Sequence, residues 1–231
     1  MALEKEEESA MKKIFVLVMV WCCSVIIGCS SKINSNYIQP NEYTESTTRI
    51  FNASYDKVWK AAVDSIGKSF FVLENIEKDS GIMSLSFSSK NPSDFIDCGT
   101  TVDSGKLHGK DYSLSYSNTD THIMKWLTLN DIPVQCVRGL KFNGKSNIIV
   151  NKISTDKTSV NVNTRYIVAL TYTCSVPYHV GFNTFYKEQS VNYEMVFTGN
   201  ERGTFEQGGM SCVSKKTLEK NILDNIEKHI N

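Results

Sequence analysis

Apolar residues follow two different spacings along this chain, and the change from one to the other outlines its elements. Tyr55, Val58, Trp59, Ala62 and Ile66 recur at the spacing of one helix face. Ser54 stands ahead of them as a cap, Asp56 lies in the first turn, and Gly67 comes where a helix stops. A helix over about 55–67 is therefore expected, after a short strand at Thr48–Asn52. Ser69–Ile76 reads as a strand, Lys78–Gly81 as a turn, and Ile82–Phe87 as a strand with Met83, Leu85 and Phe87 on one face. Asn147–Ser154 is a further strand. The even positions Val160, Val162, Tyr166, Val168, Leu170 and Tyr172 mark a long one, and Val191, Tyr193, Met195 and Phe197 mark the last. Leu218, Ile222, Leu223, Ile226 and Ile230 then return to helical spacing over about 215–230, with Ser214 as the cap.

The stretches between these are polar. Ser30–Thr47 reads as a flexible tether, Ser88–Asp111 as a surface excursion, and Asp120–Pro133 shows no pattern. Thr173–Lys187 reads as an aromatic-rich loop whose Tyr178, Phe182, Phe185 and Tyr186 are candidate contact residues. Two helices with one apolar stripe each, and strands with one apolar face each, predict an α+β domain over 48–231. Its expected form is a single antiparallel sheet packed by an N-terminal and a C-terminal helix.

Ahead of the tether lies the sharpest motif. Met11, Lys12 and Lys13 precede an apolar run from Ile14 to Ile27, then Gly28 and Cys29. A positive start, a short apolar core and a small residue before a cut make an export signal over 1–28, and the run is shorter than the roughly 20 apolar residues of a spanning helix. Ile26-Ile27-Gly28-Cys29 resembles the bacterial lipobox, with Ile26 where Leu is usual. The resemblance implies cleavage between Gly28 and Cys29, diacylglycerol and fatty acyl (palmitate-type) chains on Cys29, and, because Ser30 follows, sorting to the outer membrane. Two lipid signals already suffice for stable anchoring. Residues 1–10 carry four Glu and one Lys, against the charge asymmetry of a signal, so Met11 is the expected initiator.

Removing 1–28 takes three Lys and four Glu from 25 charges of each sign, leaving 22 against 21. A near-neutral chain without a basic run is a poor match for a nucleic-acid backbone. The folded part retains Cys98, Cys136, Cys174 and Cys212, and in an oxidising compartment two disulfides are expected. Three connectivities are open. If Thr155–Thr158 is a hairpin turn, paired positions sum to about 313, which sets Cys174 opposite Gly139 and near Cys136, leaving Cys98 for Cys212. The cysteines lack zinc-type spacing, and His108, His122, His179 and His229 lie far apart, so no metal and no cofactor beyond the covalent lipid is expected.

Tyr55-Asp-Lys-Val-Trp-Lys-Ala-Ala, with Phe71-Val-Leu-Glu-Asn-Ile-Glu-Lys-Asp-Ser-Gly81-Ile-Met-Ser-Leu, resembles the helix–strand–strand segment of BamC-type lipoproteins. Those are accessory components of the outer-membrane β-barrel assembly machine, and the resemblance implies a helix-grip-like domain. The single domain and four cysteines depart from that family, so membership of an assembly machine is not carried over. No G-x-S-x-G, H-E-x-x-H or P-loop pattern occurs. The expected function is a non-enzymatic interaction or assembly module, lipid-anchored to the outer membrane, facing the periplasm and meeting other envelope proteins. The alternative is a carrier holding a hydrophobic ligand under the C-terminal helix; a secreted hydrolase comes third.

Overall fold

Period-2 patterning turns out to govern far more of the chain than its apolar residues advertise. A computed structural model describes residues 32–67, 71–107, 110–127, 133–205 and 209–231. The export signal, Gly28 and Cys29 lie outside the described residues. The strands are β1 (Lys32–Ile38), β2 (Thr48–Phe51), β3 (Val72–Glu77), β4 (Ile82–Ser89), β5 (Ile96–Asp97), β6 (Thr100–Leu107) and β7 (Lys110–Ser117). They continue with β8 (His122–Leu127), β9 (Pro133–Lys152), β10 (Thr158–Val180), β11 (Asn183–Thr198), β12 (Gly203–Thr204) and β13 (Ser211–Ser214). The helices are α1 (Tyr55–Ile66) and α2 (Thr217–Ile230), of 12 and 14 residues, with a single 3₁₀ turn at Pro92–Asp94.

This overturns the expected α+β architecture of one sheet packed by two helices. The described chain is mostly strand and forms three sheets. A seven-stranded sheet has the order β11-β10-β9-β4-β3, with β2 added to the start of β10 and β8 to the start of β9; β1-β6-β7 and β12-β13-β5 are the other two. Tyr112–Tyr116, readable from the sequence as a short strand, lies within Lys110–Ser117. In Thr100–Leu107 the described positions are mostly polar or only half-buried, so ladder hydrogen bonds form with no apolar alternation to announce them.

The described residues separate into two compact units: one holds Lys32–Asn34 and the described part of Asp103–Ser113, the other the described parts of Ser35–Val102 and Leu114–Asn231. The second unit holds the core. Val160, Val162, Tyr166, Val168 and Leu170 of β10 are buried with Phe142, Ile148 and Val150 of β9 and Met83, Leu85 and Phe87 of β4. On this face lie Val58, Trp59, Ala62 and Ile66 of α1 and Leu218, Ile222, Leu223 and Ile226 of α2. A chain of rings fills the centre: Phe87, Phe95, Phe142, Tyr166 and Phe197 meet at centroid separations of 5.4 to 6.3 Å. Gly144 is required there, because a Cβ would fall 2.3 Å from the Phe87 ring.

The polar stretch expected as a tether is partly fixed. Lys32–Ile38 is a strand. The Tyr37 hydroxyl donates to the Ser211 carbonyl at 2.9 Å and accepts from the Ser211 N–H at 3.0 Å. Pro40 is buried, and the Tyr43 hydroxyl donates to Asp97 at 3.1 Å.

Candidate functional site

β10 runs unbroken for 23 residues, paired with β9 as far as Ser175 and with β11 from Arg165 on, but its cover does not last as long. Alternate residues are buried through Leu170; Thr171–Pro177 are half-buried, and every residue from Tyr178 to Asn192 is exposed. Beyond Ser175↔Gln135, the last pair with β9, the far parts of β10 and β11 form a two-stranded arm, exposed from Tyr178 to Asn192 and based on a part of β9 whose Cys136 and Arg138 are buried. The expected aromatic loop at Thr173–Lys187 is this ribbon, not a loop. Sixteen antiparallel pairs join β10 to β11, from Arg165↔Thr198 to Val180↔Asn183, and leave Gly181 and Phe182 as a two-residue turn. Gly181 has φ +62° and Phe182 a negative φ, the signature of a type II′ hairpin turn whose twist suits the flanking strands.

A two- or three-stranded ribbon without a core is marginal by itself. Two devices at its base compensate. Cys136 and Cys174 stand directly opposite each other and are disulfide-bonded. Pairs of β9 and β10 sum to 310, not 313, because the turn is centred on Thr155 instead of following it; Gly139 faces Thr171. Cys98 is bonded to Cys212, fastening the end of β5 to β13.

The second device is Arg138, one per cent exposed and on the same face as Cys136. Its Nη1 donates to Asn118 Oδ1 at 3.1 Å and its Nη2 to the Asn118 carbonyl. Its guanidinium lies 5.8 Å from the Tyr116 ring centroid. Tyr172 is paired with Arg138 across the strands and packs edge-on against Tyr193 at 6.3 Å. Burial lowers the Arg138 pKa from its ordinary value, opposed by Tyr172, Tyr116 and Asp120, and burial raises that of Tyr172. An arginine does not give up its proton in a protein, so a cation is held here by neutral oxygens and a ring face. Arg138 Nε and Asn118 Nδ2 have no hydrogen-bond partner among the described residues.

Towards the tip, the sequence-predicted contact residues separate by face. Tyr178 and Phe185 stack across the strands with centroids 5.7 Å apart, Phe182 projects from the turn fully exposed, and Tyr186 faces the other way opposite Pro177. His179 Nδ1 and Thr184 Oγ1 are 3.2 Å apart. On the Tyr186 face, Val134, Gln135, Val137, Thr173, Ser175 and Glu188 line an open groove of about 570 Å³. Residue type alone does not single out Arg138, Asn118 or Tyr116. The available signal was parity: Cys136, Arg138, Leu140 and Phe142 are all even-numbered, which puts a charge on the inward face of β9.

Elsewhere the chemistry is structural. Glu219 is fully buried in the first turn of α2, where the helix dipole favours its charge, and accepts from the Tyr166 hydroxyl at 3.0 and 3.2 Å. Ser214 Oγ donates to that hydroxyl at 3.1 Å and accepts from the Lys216 N–H at 2.9 Å. Ser214 therefore binds Tyr166 and the backbone just before α2 instead of serving as its cap residue, which is Lys216. Burial first, then the Glu219 carboxylate, pushes the Tyr166 hydroxyl well above the usual phenol range. A cleft of about 440 Å³ between the helices has Phe71, Phe95, Leu218 and Ile222 on its walls and Asp224, Lys228 and His229 among its polar lining. Among the described residues no group of three or more His, Cys, Asp or Glu could hold a metal ion, and no described helix is long and apolar enough to cross a membrane. No family model, curated protein or solved structure matches the chain.

Proposed function

We propose that this protein is a non-enzymatic interaction module, held on the periplasmic face of the outer membrane by lipid on Cys29, and that the β10–β11 arm is its contact element. One observation carries the reading. The ribbon is exposed from Tyr178 to Asn192, yet a disulfide and a buried arginine stiffen its base. Exposed aromatic side chains on a rigid support lose little conformational freedom on binding, which is what makes such rings effective contact residues. All four described cysteines are paired, so none supplies the thiolate that a cysteine nucleophile needs.

The test replaces Val176–Lys187 by a two-residue Asn-Gly turn in the full chain. Acyl labelling at Cys29 is expected to persist, while envelope components that co-elute with the intact protein after detergent solubilisation are lost. Retention of the same components by the shortened chain would remove the arm from the reading. Loss of acyl labelling in a Cys29→Ser variant is expected as well; labelling that persists would remove the anchor. The cleft between α1 and α2 favours the carrier as a second reading, because its walls include four apolar side chains. A small-molecule mass retained in native mass spectrometry, and lost on Ile222→Glu, would support it.

A further inference from the structure

Between Arg165 and Lys187 the chain has no Asp, Glu, Lys or Arg. In the hairpin this run becomes a gradient along the ribbon. The apex is Gly181-Phe182; the next four pairs are Val180↔Asn183, His179↔Thr184, Tyr178↔Phe185 and Pro177↔Tyr186. Charge returns only at the fifth and sixth pairs, with Lys187 and Glu188. Successive pairs are about 3.4 Å apart, so an uncharged tip roughly 14 Å deep precedes the first charge.

We propose that this tip is a wedge that enters the headgroup layer of a phospholipid bilayer, with Phe182 leading and the rings of Tyr178, Phe185 and Tyr186 at headgroup level. The inference rests on the reading of Cys29 as a lipid anchor and of the arm as the contact element, and it names the partner as the membrane surface itself.

Three features favour lipid over a protein partner. The tip is convex, a two-residue turn with a fully exposed phenylalanine at its apex, a shape that enters a soft lipid layer more readily than it matches a flat protein face. Its order from apex to base, phenyl ring, then rings that include tyrosine hydroxyls, then charge, follows the polarity profile from acyl chain to water, where amphipathic rings settle. A depth of about 14 Å spans the roughly 5–7 Å headgroup layer and reaches the upper acyl chains.

The anchor brings a bilayer within reach. The second compact unit begins at Ser35, six residues after Cys29. Six residues extend at most about 20 Å. An element with such a tip, on a unit leashed this closely, meets the bilayer at high effective concentration.

The experiment uses the full chain in a Gram-negative host, with Val180→p-benzoylphenylalanine as the probe at the tip and Lys60→p-benzoylphenylalanine on exposed α1 as the control. After irradiation, mass spectrometry of the probe peptide is expected to show phospholipid adducts at position 180 and at least tenfold fewer at position 60. Adding Phe182→Asp should cut the tip adducts more than tenfold, whereas Phe182→Trp should retain them. Both substitutions lie at an exposed turn, so the fold is not at stake. Equal lipid adducts at both probe positions, or adducts unaffected by Phe182→Asp, would overturn the wedge. Protein adducts at 180 in place of lipid would overturn it too, while leaving the interaction module standing. No adducts at 180, together with unchanged co-elution from the arm-shortened chain, would sink both.

Discussion

Arg138 shows how one side chain sets the cost of altering the arm's base. Its two terminal nitrogens reach two oxygens of a single residue, a fork that a lysine cannot reproduce. Arg138→Lys is therefore expected to destabilise by about 1–2 kcal/mol, one charge-assisted hydrogen bond. Arg138→Ala, which also opens a cavity and strands the Asn118 oxygens, should cost about 2–4 kcal/mol in denaturant midpoint experiments. A part-exposed ion pair behaves differently. Arg49 on β2 bridges Asp224 at 2.7 Å and Glu227 at 2.8 Å on α2. Lys220 and then Arg49 hold the Asp224 carboxyl below its ordinary value. A depressed carboxyl adds stability that is complete above its unfolded pKa, about 3.9, and is lost as pH falls through the lower folded value. Arg49→Ala should thus cost only about 0.2–1 kcal/mol at pH 7, and the difference from wild type should shrink when urea unfolding is repeated near pH 2.5. At this scale the sequence was partly legible. Four cysteines and four contact aromatics could be singled out by residue type, whereas Arg138 could be found only by knowing that β9 extends back to Pro133.

Elements were legible where one face is buried and obscure where neither is. Both helices and the even-numbered face of β10 stood out because Val, Tyr and Leu recur at one spacing over a core. The strands β1 and β6 did not, since their ladders are held by backbone bonds that any residue supplies. The arm reads as a loop for the same reason: once the core ends at Leu170, alternation carries no burial signal, and Pro177 and Gly181 resemble loop residues. Its stiffness then depends on the cross-link. A loop of 38 residues closed by Cys136–Cys174 corresponds to about 4 kcal/mol in the chain-entropy model. The double variant Cys136→Ala/Cys174→Ala should concentrate its effect on the arm, because the helices and the ring-filled core lie beyond Leu170. Hydrogen exchange is expected to speed up at the amides of Val176–Lys187 by at least tenfold, with smaller changes in α1 and α2. Uniform acceleration across both regions would mean that the disulfide sustains the whole unit and not the arm.

At the level of the whole molecule, the docking of Tyr37, Pro40 and Tyr43 changes what the N-terminal stretch can do. A tether from Cys29 to Thr47 would let the domain range tens of ångströms from a membrane, as a flexible chain does. The second unit starts at Ser35, six residues after Cys29, so the proposed lipid on Cys29 would keep that unit against the bilayer. Leash length should then govern how often the tip meets lipid. Inserting about 20 Gly and Ser residues between Ser31 and Lys32 adds a flexible segment between Cys29 and the second unit and lowers the effective concentration of the tip at the surface accordingly. The expected result is a several-fold fall in phospholipid adducts at Val180→p-benzoylphenylalanine, with acyl labelling at Cys29 and the two disulfides unchanged. A matched insertion of equal length in the exposed turn at Ser154–Asp156, far along the chain from the anchor, should leave the adducts as they were. If the two insertions act alike, proximity to the membrane does not come from the short leash, and the arm must find its surface by some other restraint.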